Sequence, residues 1–214
     1  MNEPQDNEQA RDRLLQAAVE VFGERGFRDA TVRDICAKAS VNPASVNYYF
    51  GGKEALYHAA LALAFQEGDR RYPQNPAFDA SLSPEERLGS FIRALLLRLT
   101  DNSLFGSYGR LIAREIADPT PALDYIVETI LRPRIQNLRE ILPDLLGPGW
   151  RDPDIARCIF AILGLCLVYQ HSRPLVDRLC PEVIGSPEAI AETADFITRY
   201  TLAALKQLAA GSQA

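Results

Sequence analysis

Apolar residues return every third or fourth position along almost the whole chain, the spacing that places them on one face of a helix. Leu14, Leu15, Ala18, Val21 and Phe22 form the first such stripe and predict a helix from Gln9 to Arg25. Gly26 closes it as a C-cap with Phe27 as a hydrophobic plug, and polar residues 1–8 fray ahead of it. Thr31 is a good N-cap for a short second helix, Val32 to Lys38, with Asp34 placed to reach back to the cap. Ala39-Ser40-Val41 makes a turn. A third helix follows, with Asn42 as N-cap and Pro43 in the first helical position, where its missing N–H costs nothing. It ends near Tyr49, and Gly51-Gly52 separates it from a fourth helix, Lys53 to Arg71.

Later helix starts repeat one style. Ser83-Pro84, Thr120-Pro121, Asp152-Pro153 and Ser186-Pro187 each set a capping residue before a first-turn proline. They predict helices over 84–101, 121–142, 153–173 and 187–209, with Pro133 kinking the second of these, and a further helix is expected over 104–117. Segments 72–82 and 174–185 read as loops, the second with room for one helical turn. No run alternates apolar and polar residues as a half-buried strand would. The expected fold is all-α with about nine helices. Residues 1–52 form a three-helix head, and residues 53–214 form a helical domain for ligand binding and dimerisation.

Composition narrows the function. An apolar fraction of 47% and a charged fraction of 24% over 214 residues suit a folded globular protein. The most apolar run, Cys158 to Tyr169, is too short to span a bilayer, and the N-terminus shows no signal-peptide pattern, so a cytoplasmic protein without membrane attachment is expected. The four cysteines show no C-x-x-C spacing and the two histidines, His58 and His171, lie far apart, so neither a metal site nor a cofactor is expected. The cysteines read as packed thiols. No Ser-His-Asp set, glycine-rich phosphate loop or paired catalytic carboxylates is present, so no catalytic residue is assigned. The net charge is −5, yet residues 9–57 carry seven Lys and Arg against six Asp and Glu. Any nucleic-acid contact therefore depends on local placement, not on a broad basic field.

Two short helices joined by a three- or four-residue turn are the DNA-reading helix-turn-helix. Ile35, Val41 and Val46 form its small core, with Cys36 and Ala39 small at the close approach. The string FGERGFRDATVRDICAKASVNPASVNYYFGGKEAL, Phe22 to Leu56, resembles the DNA-binding domain of the TetR family of bacterial regulators. Phe22, Gly26, Thr31, Tyr48-Tyr49-Phe50 and Lys53-Glu54 carry the resemblance. Ser40 stands where the family usually has Gly, a strained position if its φ is positive, and Asn47 where it often has Tyr. The resemblance implies double-stranded operator DNA as partner. Thr31, at a helix N-terminus, offers its hydroxyl and N–H to phosphate. Tyr48 and Tyr49 donate phenolic hydrogen bonds to the backbone, and in the family the lysine matching Lys53 contacts phosphate. Asn42, Pro43, Ala44, Ser45 and Asn47 face the groove.

Residues 108–178 are similar to the C-terminal domain of one TetR subgroup, in the strings GRLIAREIADPTPALDYIVETILRPRI and CIFAILGLCLVYQHSRPL. The resemblance implies a homodimer and a small-molecule inducer. The predicted dimer stripe is Ile155, Ile159, Ile162, Cys166, Phe196, Tyr200 and Ala203, with part of it open to use in the protomer's own core. The predicted pocket draws on Phe65, Phe91, Leu95, Tyr108, Leu111, Arg114, Glu115, Tyr125, Ile130, Tyr169 and Gln170. Arg114 and Glu115 interrupt an apolar helix, so if buried they pair with each other or with a ligand; otherwise they are surface charges or a structural ion pair. The implied function is a ligand-responsive repressor released from a palindromic operator by its inducer. The competing class is a helical small-molecule-binding or scaffold protein with a vestigial helix-turn-helix.

Overall fold

The computed structural model describes residues 3–73, 77, 79–101 and 107–211, without the side chains of residues 3–6, 107–109, 112 and 113. Every regular element among them is helical. Of the predicted pocket residues, Tyr108 lies outside the described side chains, and the expected helix start at 104–106 lies outside the described residues. Residues 3–70 and 107–129 belong to one compact unit, and residues 71–101 and 130–211 to a second.

In the first unit, α1 (Glu3–Asp29) is helical from residue 3, so residues 3–8 extend the helix instead of fraying. Gly26 breaks it at φ 77° and ψ 176°, as its predicted role requires. α2 (Val32–Ala39), α3 (Ala44–Phe50) and α4 (Lys53–Arg71) follow. α1 packs on α2 and α3, and on α6 (Ser107–Ala117). Leu14, Ala18, Phe22, Ile35, Leu56 and Tyr57 are buried in this unit, so the predicted 3–4 periodicity of α1 marks its inner face. α7 (Ala122–Ile126) ends the unit.

In the second unit, α5 (Pro84–Thr100) opens at the predicted cap Ser83, which forms a capping box: Ser83 N–H and hydroxyl donate to Glu86 Oε2 at 2.9 and 2.8 Å, and Glu86 N–H returns to Ser83 Oγ at 3.2 Å. The predicted 121–142 helix is divided. α7 gives way to a π-helical stretch, Val127–Leu131, and then to α8 (Arg132–Leu146), with Pro133 in its first turn. Pro133 has no N–H to return to the preceding turn, and the wider π turn absorbs the mismatch. α9 (Asp152–His171) has Arg151 in its N-cap position, without a side-chain cap hydrogen bond, one residue ahead of the predicted Asp152. α10 (Arg173–Leu179) and a 3-10 turn, Pro181–Val183, occupy the segment read from sequence as a loop. Pro174 sits in the first turn of α10, where proline starts a helix, and an Arg173–Asp177 ion pair at 2.7 Å spans one turn. α11 (Pro187–Gly211) closes the chain. The core joins α5, α8, α9 and α11 through Leu88, Ile92, Leu138, Ile141, Ile159 and Ile197.

Candidate functional site

The head is locked by its own local chemistry. Thr31 caps α2: its hydroxyl accepts from Asp34 N–H at 3.1 Å, while its own O–H and N–H donate to Asp34 Oδ2 at 2.7 and 3.3 Å. Arg25 pairs with the same carboxylate at 2.7 Å. Thr31's hydrogen bonds, with help from Arg25, hold the Asp34 carboxyl below its ordinary range. Without DNA both Thr31 donors are engaged by Asp34. Ser40 ends α2 at φ 55° and ψ 46°, the left-handed region, so the serine bears the strain anticipated for a glycine position. Ile35, Cys36, Ala39 and Val46 are buried in the head, where α1 packs on both α2 and α3, and Val41 is half-buried.

α3 turns its predicted groove residues outward. Asn42, Pro43, Ala44, Asn47 and Tyr48 are exposed and Ser45 is half-buried; Tyr48 has 73% of its surface free. The helix starts at Ala44, and the Asn42 side chain caps it by accepting from Ala44 N–H at 2.9 Å. Tyr49 donates its hydroxyl to Asn7 Oδ1, which ties it to α1, and its ring lies edge-on to Tyr48 at 4.9 Å. Lys53 lies over the Phe27 ring at 4.6 Å and donates to the Arg28 carbonyl at 3.4 Å. That ammonium is thus positioned by the C-terminal end of α1.

A second cluster joins α1, α4 and α6. Glu115 is 2% exposed, yet its partner is not Arg114. Its carboxylate accepts from Tyr57 O–H at 3.1 Å and from Thr120 N–H and O–H at 2.6 and 2.7 Å. Burial first, and then the Glu115 charge, push the Tyr57 phenol far above its ordinary value. Arg114 is exposed and donates to the Glu24 carbonyl. A Cβ at Gly26 would sit in ordinary contact with Arg114 Nη1, at 3.4 Å, so it is the φ of 77° and not space that favours glycine there. Arg28 meets Asp118 at 3.1 Å and the Pro119 carbonyl at 3.3 Å. These groups line a cavity of 140 Å³ in the first unit.

The predicted dimer stripe separates into two sets. Ile155, Ile159, Ile162 and Cys166 are buried in the protomer's own core, so the stripe on α9 is corrected: i, i+4 spacing cannot tell an inner face from an outer one. Phe196, Tyr200 and Ala203 on α11 are exposed, and α9 leaves Phe160 and Val168 exposed on its outer side. The predicted pocket residues are divided between the units. Phe65, Leu111, Arg114, Glu115 and Tyr125 belong to the first, and Phe91, Leu95, Ile130, Tyr169 and Gln170 to the second. Phe65, Leu111, Phe91 and Ile130 are buried, and Leu95, Tyr125, Tyr169 and Gln170 half-buried. Among the described residues no cluster of three His, Cys, Asp or Glu could hold a metal ion, and no single helix is long and apolar enough to cross a membrane.

A family model described as bacterial regulatory proteins, tetR family, matches residues 14–60. A second, described as the C-terminal domain of the HTH-type transcriptional dual regulator CecR, matches residues 84–205. CecR of Shigella flexneri is 30% identical over 177 residues, covering 79% of each chain. The chain belongs to the TetR family. It is a DNA-binding transcriptional regulator whose C-terminal part is of the CecR type. Two solved structures share the fold of this TetR regulator. AibR, in complex with isovaleryl coenzyme A and operator DNA, superposes with a TM-score of 0.68 at 19% identity, covering 89% of this chain and 97% of AibR. FadR from Bacillus subtilis, in complex with stearoyl-CoA, gives 0.66 at 17% identity, with the same coverage.

Two features of the TetR regulator escape a reading of its sequence. Arg33 is exposed in the first turn of α2 and makes no ion pair among the described residues, a placement that only its neighbour Thr31 hints at. His58 on α4 stacks on Tyr125 of α7 at 4.9 Å with planes 9° apart, and its Nε2 is buried without a hydrogen-bond partner. A single histidine in an amphipathic helix carries no local signal of such a partner.

Proposed function

We propose that this TetR regulator acts as a homodimeric repressor whose two heads read successive major grooves of a palindromic operator, roughly 34–36 Å apart, and that a small-molecule inducer releases it. The observation that carries the reading is the head itself. Ile35, Cys36 and Val46 are buried where α1 packs on α2 and α3, while Asn42, Pro43, Ala44, Asn47 and Tyr48 are exposed. Asn47 has the donor and acceptor to read adenine, and Ala44 a methyl for thymine. Ser45 is half-buried. Tyr48, Lys53 and Arg33 serve the phosphates, and the Thr31 and Tyr49 hydroxyls reach them by exchanging their contacts with Asp34 and Asn7. In this reading residues 1–52 bind DNA and residues 53–214 bind ligand and dimerise, in the cytoplasm with the chromosome.

The partner protomer covers the outer faces of α9 and α11. Phe160 and Val168 on α9, and Phe196, Tyr200 and Leu208 on α11, are large apolar residues left 46–69% exposed on two helices that pack together. Surfaces of that kind mark interaction sites. The ligand enters among Phe91, Leu95, Ile130, Tyr169 and Gln170 of the second unit and shifts the population of head arrangements. The acyl-CoA complexes of AibR and FadR make acyl thioesters the first compounds to try.

Genomic fragments bound by the full chain, sequenced and then titrated as duplexes against salt, test the proposal. A palindrome bound with affinity falling steeply as salt rises supports it. Lys53→Glu should abolish binding and leave the dimer intact. Indifference to duplex and to that substitution would favour a helical ligand-binding or scaffold protein with a vestigial head.

A further inference from the structure

Two polar side chains lie inside the second unit with no protein group to pair with. Asn137 on α8 is 2% exposed, and neither its carboxamide oxygen nor its nitrogen has a hydrogen-bond partner. Thr201 on α11 is 4% exposed, and its hydroxyl is equally unpaired. Helical threonines commonly turn the hydroxyl back to the carbonyl four residues earlier. Thr198 does so in the same helix, donating to Ala194 at 2.8 Å, and Thr201 does not. α8 and α11 pack directly on one another. The neighbours of these two residues along their own helices, Leu138 and Ile141 on α8 and Ile197 and Leu205 on α11, are core residues of one apolar cluster.

A carboxamide brings two donors and two acceptor sites, and a hydroxyl adds one donor. Buried groups of this kind are almost always satisfied in folded proteins, because leaving them unmet forfeits their hydration with nothing in return. Leucine and valine would repeat the shapes of Asn137 and Thr201 without that penalty.

We propose that Asn137 and Thr201 are the polar contacts of a buried small-molecule site in the second unit, and that its ligand is uncharged at that point: an apolar body bearing an amide, carbonyl or hydroxyl group. The inference rests on the ligand-responsive reading and adds the chemical class of the ligand. An amide and a hydroxyl supply dipoles but no charge, and a carboxylate or phosphate brought into such a core needs a cation. Among the described residues the one cation buried in this unit is Arg98 on α5, which donates to the Tyr72 carbonyl at 2.5 Å; neither α8 nor α11 contributes a buried one.

The test compares the full chain with Asn137→Leu and Thr201→Val, using octanamide, 1-octanol and octanoate as probes that share an apolar tail and differ in the head group. Without probe, each variant should melt higher than the wild type, by roughly 2–4 °C. Octanamide and 1-octanol should raise the wild-type melting temperature, octanoate should bind about tenfold more weakly, and both variants should lose roughly tenfold in octanamide affinity. Variants that melt lower, octanoate binding as tightly as octanamide, unchanged octanamide binding by the variants, or no octanamide binding by the wild type would each overturn the assignment. Release of bound operator duplex by a small-molecule extract of cells, measured in parallel on the wild type, decides the ligand-responsive reading separately. If the extract releases DNA while the octanamide series fails, only the class of ligand falls.

Discussion

Tyr57→Phe removes one hydroxyl and leaves the rest of its surroundings intact. The Tyr57 ring is 1% exposed and packs at 4.8 Å from Phe22 and 4.9 Å from Phe27, contacts that phenylalanine keeps. What disappears is the hydrogen bond to Glu115 at 3.1 Å, leaving that carboxylate with its two Thr120 donors. A hydrogen bond to a charged group contributes about 1.5–3 kcal/mol. With a urea dependence of about 2 kcal/mol per molar, the unfolding midpoint should fall by roughly 1 M. The same substitution made in a Glu115→Gln background should cost at least about 1 kcal/mol less, the signature of direct coupling. A second mark appears at high pH. Burial and the Glu115 charge raise the Tyr57 phenol above its ordinary value of 10.0. The folded state therefore holds a proton that the unfolded chain releases above about pH 10. The stabilisation is complete below that pH and is lost as pH rises, and Tyr57→Phe should flatten this part of the profile. Far-UV circular dichroism in urea between pH 8 and 11 reads both effects. A midpoint shift under roughly 0.3 M, or an equal shift with and without Glu115, would refute the assignment of Glu115 and Tyr57 as partners.

Other expectations follow from single residues. Ser40→Gly removes a left-handed penalty of about 1–2 kcal/mol and gives back about 0.5–1 in chain entropy, so the melting temperature should rise slightly; a fall would show that the serine side chain holds the turn. Thr31→Ala should cost about 1 kcal/mol. Because Asp34 sits below its ordinary 3.8 through Thr31, its contribution is present above that pH and lost as pH falls. Urea midpoints from pH 2.5 to 6 should therefore show a shallower acid slope in Thr31→Ala. Phe160→Asp and Phe196→Asp should each yield monomers by light scattering, and an unchanged mass would remove α9 and α11 as the dimer face. Alkylation at pH 8 should mark half-buried Cys180 first: burial raises the thiols of Cys36 and Cys158, and pushes Cys166 up to about 12. Mass spectrometry showing Cys166 labelled first would contradict the packing of α9.

The features legible in the sequence are those satisfied within a turn or two of chain. Thr31 with Asp34, Ser83 with Glu86, and Gly26 at the end of the first stripe of α1 are each cap and partner separated by a few residues, so composition at fixed spacing reveals them. The helix-turn-helix is legible for the same reason, since its core of Ile35, Val41 and Val46 spans a dozen residues. Where the local signal is ambiguous, packing decides: Pro174, in a segment whose pattern suits a loop, opens α10, and Arg151 instead of Asp152 holds the N-cap position of α9.

Tertiary structure decided everything that depends on which face of a helix meets what. Glu115 finds Tyr57 58 positions earlier and not the adjacent Arg114, because successive residues on a helix point about 100° apart and only packing chooses the partner. α9 is apolar nearly all round, so its pattern could not say that Ile155, Ile159, Ile162 and Cys166 turn inward while Phe160 and Val168 stay outside. Asn137 and Thr201 look like ordinary polar residues of amphipathic helices, and only the burial of α8 against α11 strips them of water. Sequence alone determined most of the helices, the caps at Thr31 and Ser83 and the DNA-reading head, because those are local agreements between neighbours. The inner and outer faces of the long helices, and the partners of each buried polar group, arise from contacts between distant segments that no single stretch of chain encodes.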